Sequence, residues 1–114
     1  MIKRKNEKEW EKMSISETND MIRASLPFPK KPHRMVMTQG VRVLSAHGKR
    51  ELIRRIQEFK DFNIENDPYE EHDTIFVDMS EKKYICKIDY YDDDFEGFQE
   101  DGNRVFTIMN ASEY

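Results

Sequence analysis

Cysteine is nearly missing from this chain of 114 residues: Cys86 stands alone. No internal disulfide can form, and a lone thiol fits a reducing, cytoplasmic setting. Glycine is scarce too, with four residues placed singly at 40, 48, 97 and 102. That excludes a glycine-rich loop that cradles phosphate. No apolar run exceeds a few residues, so no membrane-spanning helix is expected. The N-terminus, Met1-Ile2-Lys3-Arg4-Lys5, leads into Asn6-Glu7-Lys8-Glu9 rather than an apolar stretch, so no secretory signal is read there. A second histidine at metal-ligand spacing from His72 is also missing, because His33 and His47 lie far away in sequence. What remains is one small domain, which buries roughly 60–68% of its unfolded surface.

One Trp, five Tyr and seven Phe supply enough aromatic bulk for a core, although charged residues reach 37%. Those charges are segregated. Residues 1–60 hold 15 Lys and Arg against 7 Asp and Glu, whereas residues 61–114 hold 4 against 16. A basic first half and an acidic second half suit either a docking surface for a charged partner or pairing between the halves.

Residues 1–13 read as a charged tail and residues 14–114 as a single domain. Ser14-Ile15-Ser16-Glu17 has the pattern of a capping box, and Ile15, Thr18, Ile22 and Leu26 share one face of a short helix ending at Pro27. Three prolines within residues 26–33 make a stiff, extended, basic connector. Met35–Thr38 reads as a strand stopped by Gly40, and Val41, Val43 and Leu44 either continue it past a bulge or turn toward the next helix. Ser45 caps the longest helix, about 46–62, with Leu52, Ile53, Ile56 and Phe59 inward and Lys49, Arg50, Arg54 and Arg55 outward. Period-two alternation then marks strands at Ile75–Met79, Tyr84–Tyr90 and Val105–Met109, with Ser80–Lys83 as a hairpin turn and 92–101 as an acidic loop. The expected fold is α+β: an antiparallel sheet of about four strands, one long helix packed across it and a short N-terminal helix.

Three segments occur together in a recognisable order. They are Asn66-Asp67-Pro68-Tyr69-Glu70-Glu71-His72-Asp73, Lys87-Ile88-Asp89-Tyr90-Tyr91-Asp92, and Arg104 followed by Thr107–Tyr114. With Asn19-Asp20, Arg23 and Thr38-Gln39-Gly40-Val41, they make the chain resemble the domain-of-unknown-function family 3768 over about residues 15–114. The resemblance implies a small bacterial protein, often carried by a plasmid or phage, and brings no activity with it. The charged tail, the proline-rich connector, the acidic loop and Cys86 depart from the family pattern.

A four-residue turn would set Met79 opposite Tyr84, Thr74 opposite Asp89, His72 opposite Tyr91 and Asp73 opposite Tyr90. His72, Asp89, Tyr91 and Lys87 would then share one sheet face, and Glu71, Asp73, Tyr90 and Asp92 the other. Imidazole with carboxylates suits a divalent cation, zinc first and manganese second, so His72, Asp73, Glu71, Asp89 and Asp92 are the candidate metal ligands. The competing reading is a structural polar network, with Asp67, Asp73 or Asp89 accepting from backbone amides. Cys86, in mid-strand with no histidine on its face, is not read as a nucleophile.

Three functional classes follow. The first is an accessory protein of a phage or mobile element that binds a host protein, such as a nucleic-acid enzyme, in the anti-CRISPR or anti-restriction manner. Its docking residues would be Asp93, Asp94, Phe95, Glu96 and Phe98, or the basic Arg50, Arg54 and Arg55. The second is a metal-dependent hydrolase or nuclease built on His72 and its carboxylates. The third is direct nucleic-acid binding by the basic half, for which no base-reading motif is present. The enzyme class ranks below the binding class.

Overall fold

The computed structural model describes residues 13–114. The charged tail expected at 1–13, Trp10 included, lies outside the described residues apart from Met13. Four helices or helical turns and four strands follow: α1 Ile15–Arg23, β1 Arg34–Met37, α2 Gln39–Arg42, α3 Ala46–Glu58, β2 Thr74–Met79, β3 Lys82–Tyr91, β4 Asn103–Asn110 and a closing 3-10 turn at Ala111–Glu113. No helix among the described residues is long and apolar enough to cross a membrane.

The sheet runs β1-β4-β3-β2. It is mixed, not antiparallel throughout as expected: β1 pairs parallel with β4, while β4–β3 and β3–β2 are antiparallel. The reason is a matter of direction. The α3 segment lies between β1 and β2 in the chain and returns β2 in the direction of β1. Two antiparallel steps then leave β4 running that way again, so it meets β1 in parallel. The helix across the sheet is thirteen residues, shorter than expected, because Phe59 already has extended backbone at its C-cap. The segment after β1 forms α2 rather than further strand, with Val41 fully buried.

The connector expected to run extended instead turns back on itself: the Phe28 amide donates to the Ser25 carbonyl at 3.0 Å and the His33 amide to the Lys30 carbonyl at 3.1 Å. The other elements are present with shifted edges. Ser14 and Glu17 form both halves of the capping box, and the Ser45 side chain accepts from the Gly48 amide. Leu52, Ile53 and Ile56 are buried under the sheet. The hairpin turn is two residues, Ser80 and Glu81, with φ of 52° and 64°, the geometry of a type I′ turn. Met79 therefore pairs with Lys82 and Thr74 with Lys87, not with Tyr84 and Asp89. A slip of two keeps every side chain on its expected face, whereas a slip of one would have reversed them. Ile75, Val77, Cys86 and Ile88 are accordingly all in the core with Phe106 and Ile108. At the outer edge of β2, the side away from β3, Arg55 Nη1 donates to the Asp78 carbonyl at 2.6 Å and occupies one acceptor of that edge.

Candidate functional site

Polar groups gather where α1 meets one end of the sheet. Two of them are buried inside α1 itself: Asn19 and Arg23, on the face that also carries Ile22. From β4, Arg104 points into the same layer and is 2% exposed. Its Nε donates to Asn19 Oδ1 at 2.9 Å, Nη1 to the Gly102 carbonyl at 2.8 Å and Nη2 to Asp101 Oδ1 at 2.6 Å. The Asn19 amide then donates to Tyr90 Oη at 2.8 Å and to the Glu71 carbonyl at 2.9 Å. Burial pushes the Tyr90 hydroxyl well above its ordinary range, which keeps it neutral. Arg23 Nη1 reaches the carbonyls of Ile56, Gln57 and Phe59, so a side chain of α1 terminates α3.

His72 is held on both sides. Its Nδ1 lies 3.0 Å from each Asp20 carboxylate oxygen, and Nε2 is 3.5 Å from Asp67 Oδ2. The ring stacks on Phe62 with centroids 3.8 Å apart and planes within 2°. Asp67 Oδ1 also accepts from the amides of Glu71 and His72, at 3.0 and 3.1 Å. That carboxylate holds Glu70 and His72 at φ of 55° and 56°, where non-glycine residues are rare. These bends take His72 off the sheet face expected for it and deliver it to α1.

The expected ligand set is therefore divided. Glu71, Asp73 and Asp89 line one shallow groove at the sheet end together with Lys87, Glu96 and Phe98. The Glu71 carboxyl is raised above its ordinary range, first by burial and then by neighbouring Asp73. Asp89 pairs with Lys87 Nζ at 3.1 Å. Asp92 spends its carboxylate on the loop backbone, and His72 faces Asp20 and Asp67 elsewhere. Among the described residues, no group of three or more His, Cys, Asp or Glu side chains is placed to hold a metal ion. Cys86 is fully buried, and burial pushes its thiol up to about 12. The signal for α1's part was present in the Asn19-Asp20 and Arg23 spacing, but periodicity alone marks only the apolar positions of that helix.

The acidic loop is ordered from within. Asp92 Oδ1 accepts from the amides of Asp94 and Glu96, at 3.2 and 3.0 Å, and the Asp92 amide donates to the Gly97 carbonyl at 2.8 Å. Phe95, expected as a partner anchor, packs beneath the loop: Arg34 stacks over it at 3.7 Å and Tyr91 flanks it at 6.0 Å. Phe98 is the reverse case, 77% exposed, among the exposed side chains of Asp93, Asp94, Glu96 and Glu100. Gly102 closes the loop where a Cβ would collide with the Tyr91 carbonyl. On α3, Arg54 is taken up by Glu51 and Glu58, and Arg55 by Glu51 and the Asp78 carbonyl, so among the described residues Arg50 alone of the three expected basic contacts has no such partner. Hydrogen bonds from Arg54 and Arg55 hold the Glu51 carboxyl down at about 2.

These features sit within a known family. The chain matches the model of the protein of unknown function family DUF3768 over residues 37–113, and it belongs to that family. The matched span starts at Met37, so α1 lies before it, although Asn19 contacts Tyr90 and Arg104, Asp20 contacts His72, and Arg23 contacts the Ile56, Gln57 and Phe59 carbonyls inside it. No curated protein and no solved structure matches the chain.

Proposed function

We propose that this protein works by binding another protein, with the 92–101 loop as its docking element. The partner is a host nucleic-acid enzyme whose basic groove the loop enters, in the manner of the inhibitors carried by phages and mobile elements. The observation that carries this reading is Phe98, a large apolar side chain left 77% exposed on a loop fastened by its own Asp92. A fastened loop loses little entropy on docking, and an aromatic anchor inside a charged rim is the usual form of an interface hot spot. Asp93, Asp94, Glu96 and Glu100 supply a row of negative charge spaced along the backbone, which steers association with a basic surface.

Pull-down from host lysate with wild type and with the Asp93→Asn/Asp94→Asn/Glu96→Gln variant tests it. The variant should recover less of the same partner at low salt, and the difference should shrink as salt rises. Phe98→Ser should weaken capture at every salt concentration. Equal recovery by all three proteins at low salt would remove the loop from consideration. An inhibitor also acts near one-to-one with its target, whereas a trace of protein that consumes excess RNA or DNA would establish an enzyme.

A further inference from the structure

The proline-rich connector folds into an open groove of about 620 Å³, lined mainly by Pro27, Phe28, Pro29, Lys31, Pro32 and Arg34. Its floor is apolar, and Phe28 is 86% exposed at one wall. Lys31 is exposed in the lining, Lys30 is exposed beside it in the chain, and neither has an ion-pair partner among the described residues. The groove thus presents the chemistry that the acidic loop lacks: a basic edge around an apolar slot. The loop presents the converse, an exposed Phe98 with Asp93, Asp94, Glu96 and Glu100, which have no ion-pair partners among the described residues.

The two patches are neighbours. Arg34, on the groove, stacks over Phe95 at the base of the loop. Within one chain they do not cover each other, since Phe28 and Phe98 both remain exposed. From this we infer that the groove is occupied by the 92–101 loop of a second copy of this chain. Phe98 seats against Phe28 and the prolines, and Asp93, Asp94, Glu96 and Glu100 lie along Lys30 and Lys31. Because groove and loop adjoin, one two-fold axis brings both pairs of patches together and the contact is made twice. Each aromatic ring offers about 150–250 Å² for burial, so the interface is at the small, reversible end of the scale. Rim charges contribute much of the association, so the dimer weakens with salt. The inference does not depend on a host partner; it makes self-association and partner capture competitors for one loop.

Sedimentation of the purified full-length chain, over a range of concentrations at low and high salt, reads the dimer directly. Wild type should approach twice the chain mass at low salt and return toward one chain at high salt. Lys30→Glu/Lys31→Glu places acid against acid, and Asp93→Lys/Asp94→Lys places base against base. Each variant alone should raise the dissociation constant by at least roughly tenfold. All four positions are exposed, so both variants keep the fold, which circular dichroism verifies. Mixing the two variants restores attraction in both contacts, and the mixture should form a heterodimer at the concentration where each alone is a monomer. A wild type that stays monomeric at low salt, or variants that dimerise as well alone as mixed, would overturn the inference. If wild type stays monomeric but binds a single-stranded oligonucleotide and Lys30→Glu/Lys31→Glu does not, the groove serves nucleic acid instead.

Discussion

Arg104 Nε on β4 donates to Asn19 Oδ1 on α1 at 2.9 Å, and that bond joins elements 85 positions apart in the chain. Both residues are buried, so neither can turn to water if the other is lost. Asn19→Leu leaves a buried guanidinium nitrogen and the Tyr90 hydroxyl short of partners. Removing one partner of a buried, charge-assisted hydrogen bond costs about 1.5–3 kcal/mol. Urea unfolding should show a loss of that order with an unchanged slope. A loss near zero would mean that the bond from Arg104 to Asn19 contributes nothing to holding α1 on the sheet.

Asp67 acts on the backbone that its own loop must bend. Its carboxylate holds the amides of Glu71 and His72 while Glu70 and His72 sit at positive φ. Asp67→Ala should destabilise the chain by ~1–3 kcal/mol, from two amides left without their acceptor in a part-buried place. Asp67→Asn keeps an acceptor oxygen and should lose less. Cleavage of the 63–73 segment by protease should rise in the same order. Equal behaviour of the two variants would deny the carboxylate this role.

The sequence conveyed the apolar skeleton well because burial obeys simple periods. Leu52, Ile53 and Ile56 on the helix, and Ile75, Val77, Cys86 and Ile88 on the strands, are where 3.6 and 2 residue repeats place them. Strand direction was not legible, since a parallel partner for β1 depends on the return path of the intervening helix and on two later reversals. The site was harder still. His72 belongs by alternation to the sheet face with Asp89, yet two left-handed residues, held by Asp67, carry it to Asp20. Strain at Glu70 and His72 leaves no mark in composition, because neither is glycine. Phe95 and Phe98 look equivalent in sequence; Arg34 above the Phe95 ring and Tyr91 beside it separate packing from exposure.

Glu71 makes a pH-dependent prediction. Its carboxyl is raised by burial and by Asp73, so the folded state binds a proton more readily than the unfolded chain does. The contribution of Glu71 to stability is then fully present below the ordinary glutamate value and is lost as pH rises through the raised one. Glu71→Gln, which carries no charge at any pH, should melt higher than wild type at neutral pH. The two melting curves should converge in acid. A variant that melts lower than wild type at neutral pH would show that the ionised carboxylate is stabilising.

Glu113 gives the opposite sign and the last test. Its carboxylate accepts from Thr38 Oγ1 at 2.7 Å, the Gly40 amide at 2.9 Å and the Asn110 amide at 2.8 Å, which fastens the end of β4 to the start of α2. Those donors hold the carboxyl below its ordinary range, the Thr38 hydroxyl first. The stabilisation is present above the ordinary glutamate value and is lost as pH falls through the depressed one. Glu113→Gln should therefore melt lower than wild type at neutral pH, and the gap should close in acid. Gly40 is part of the same device, since a Cβ there would collide with the Glu113 carboxyl. Gly40→Ala alone should destabilise, even though alanine is the better helix former. In a Glu113→Ala background the carboxyl is gone and only the close approach of the Asn110 Cβ at 3.0 Å remains, so the same change should cost less. Two neighbours that share one contact are expected to be non-additive. Strictly additive losses in that double-mutant cycle would show that Gly40 and Glu113 act independently.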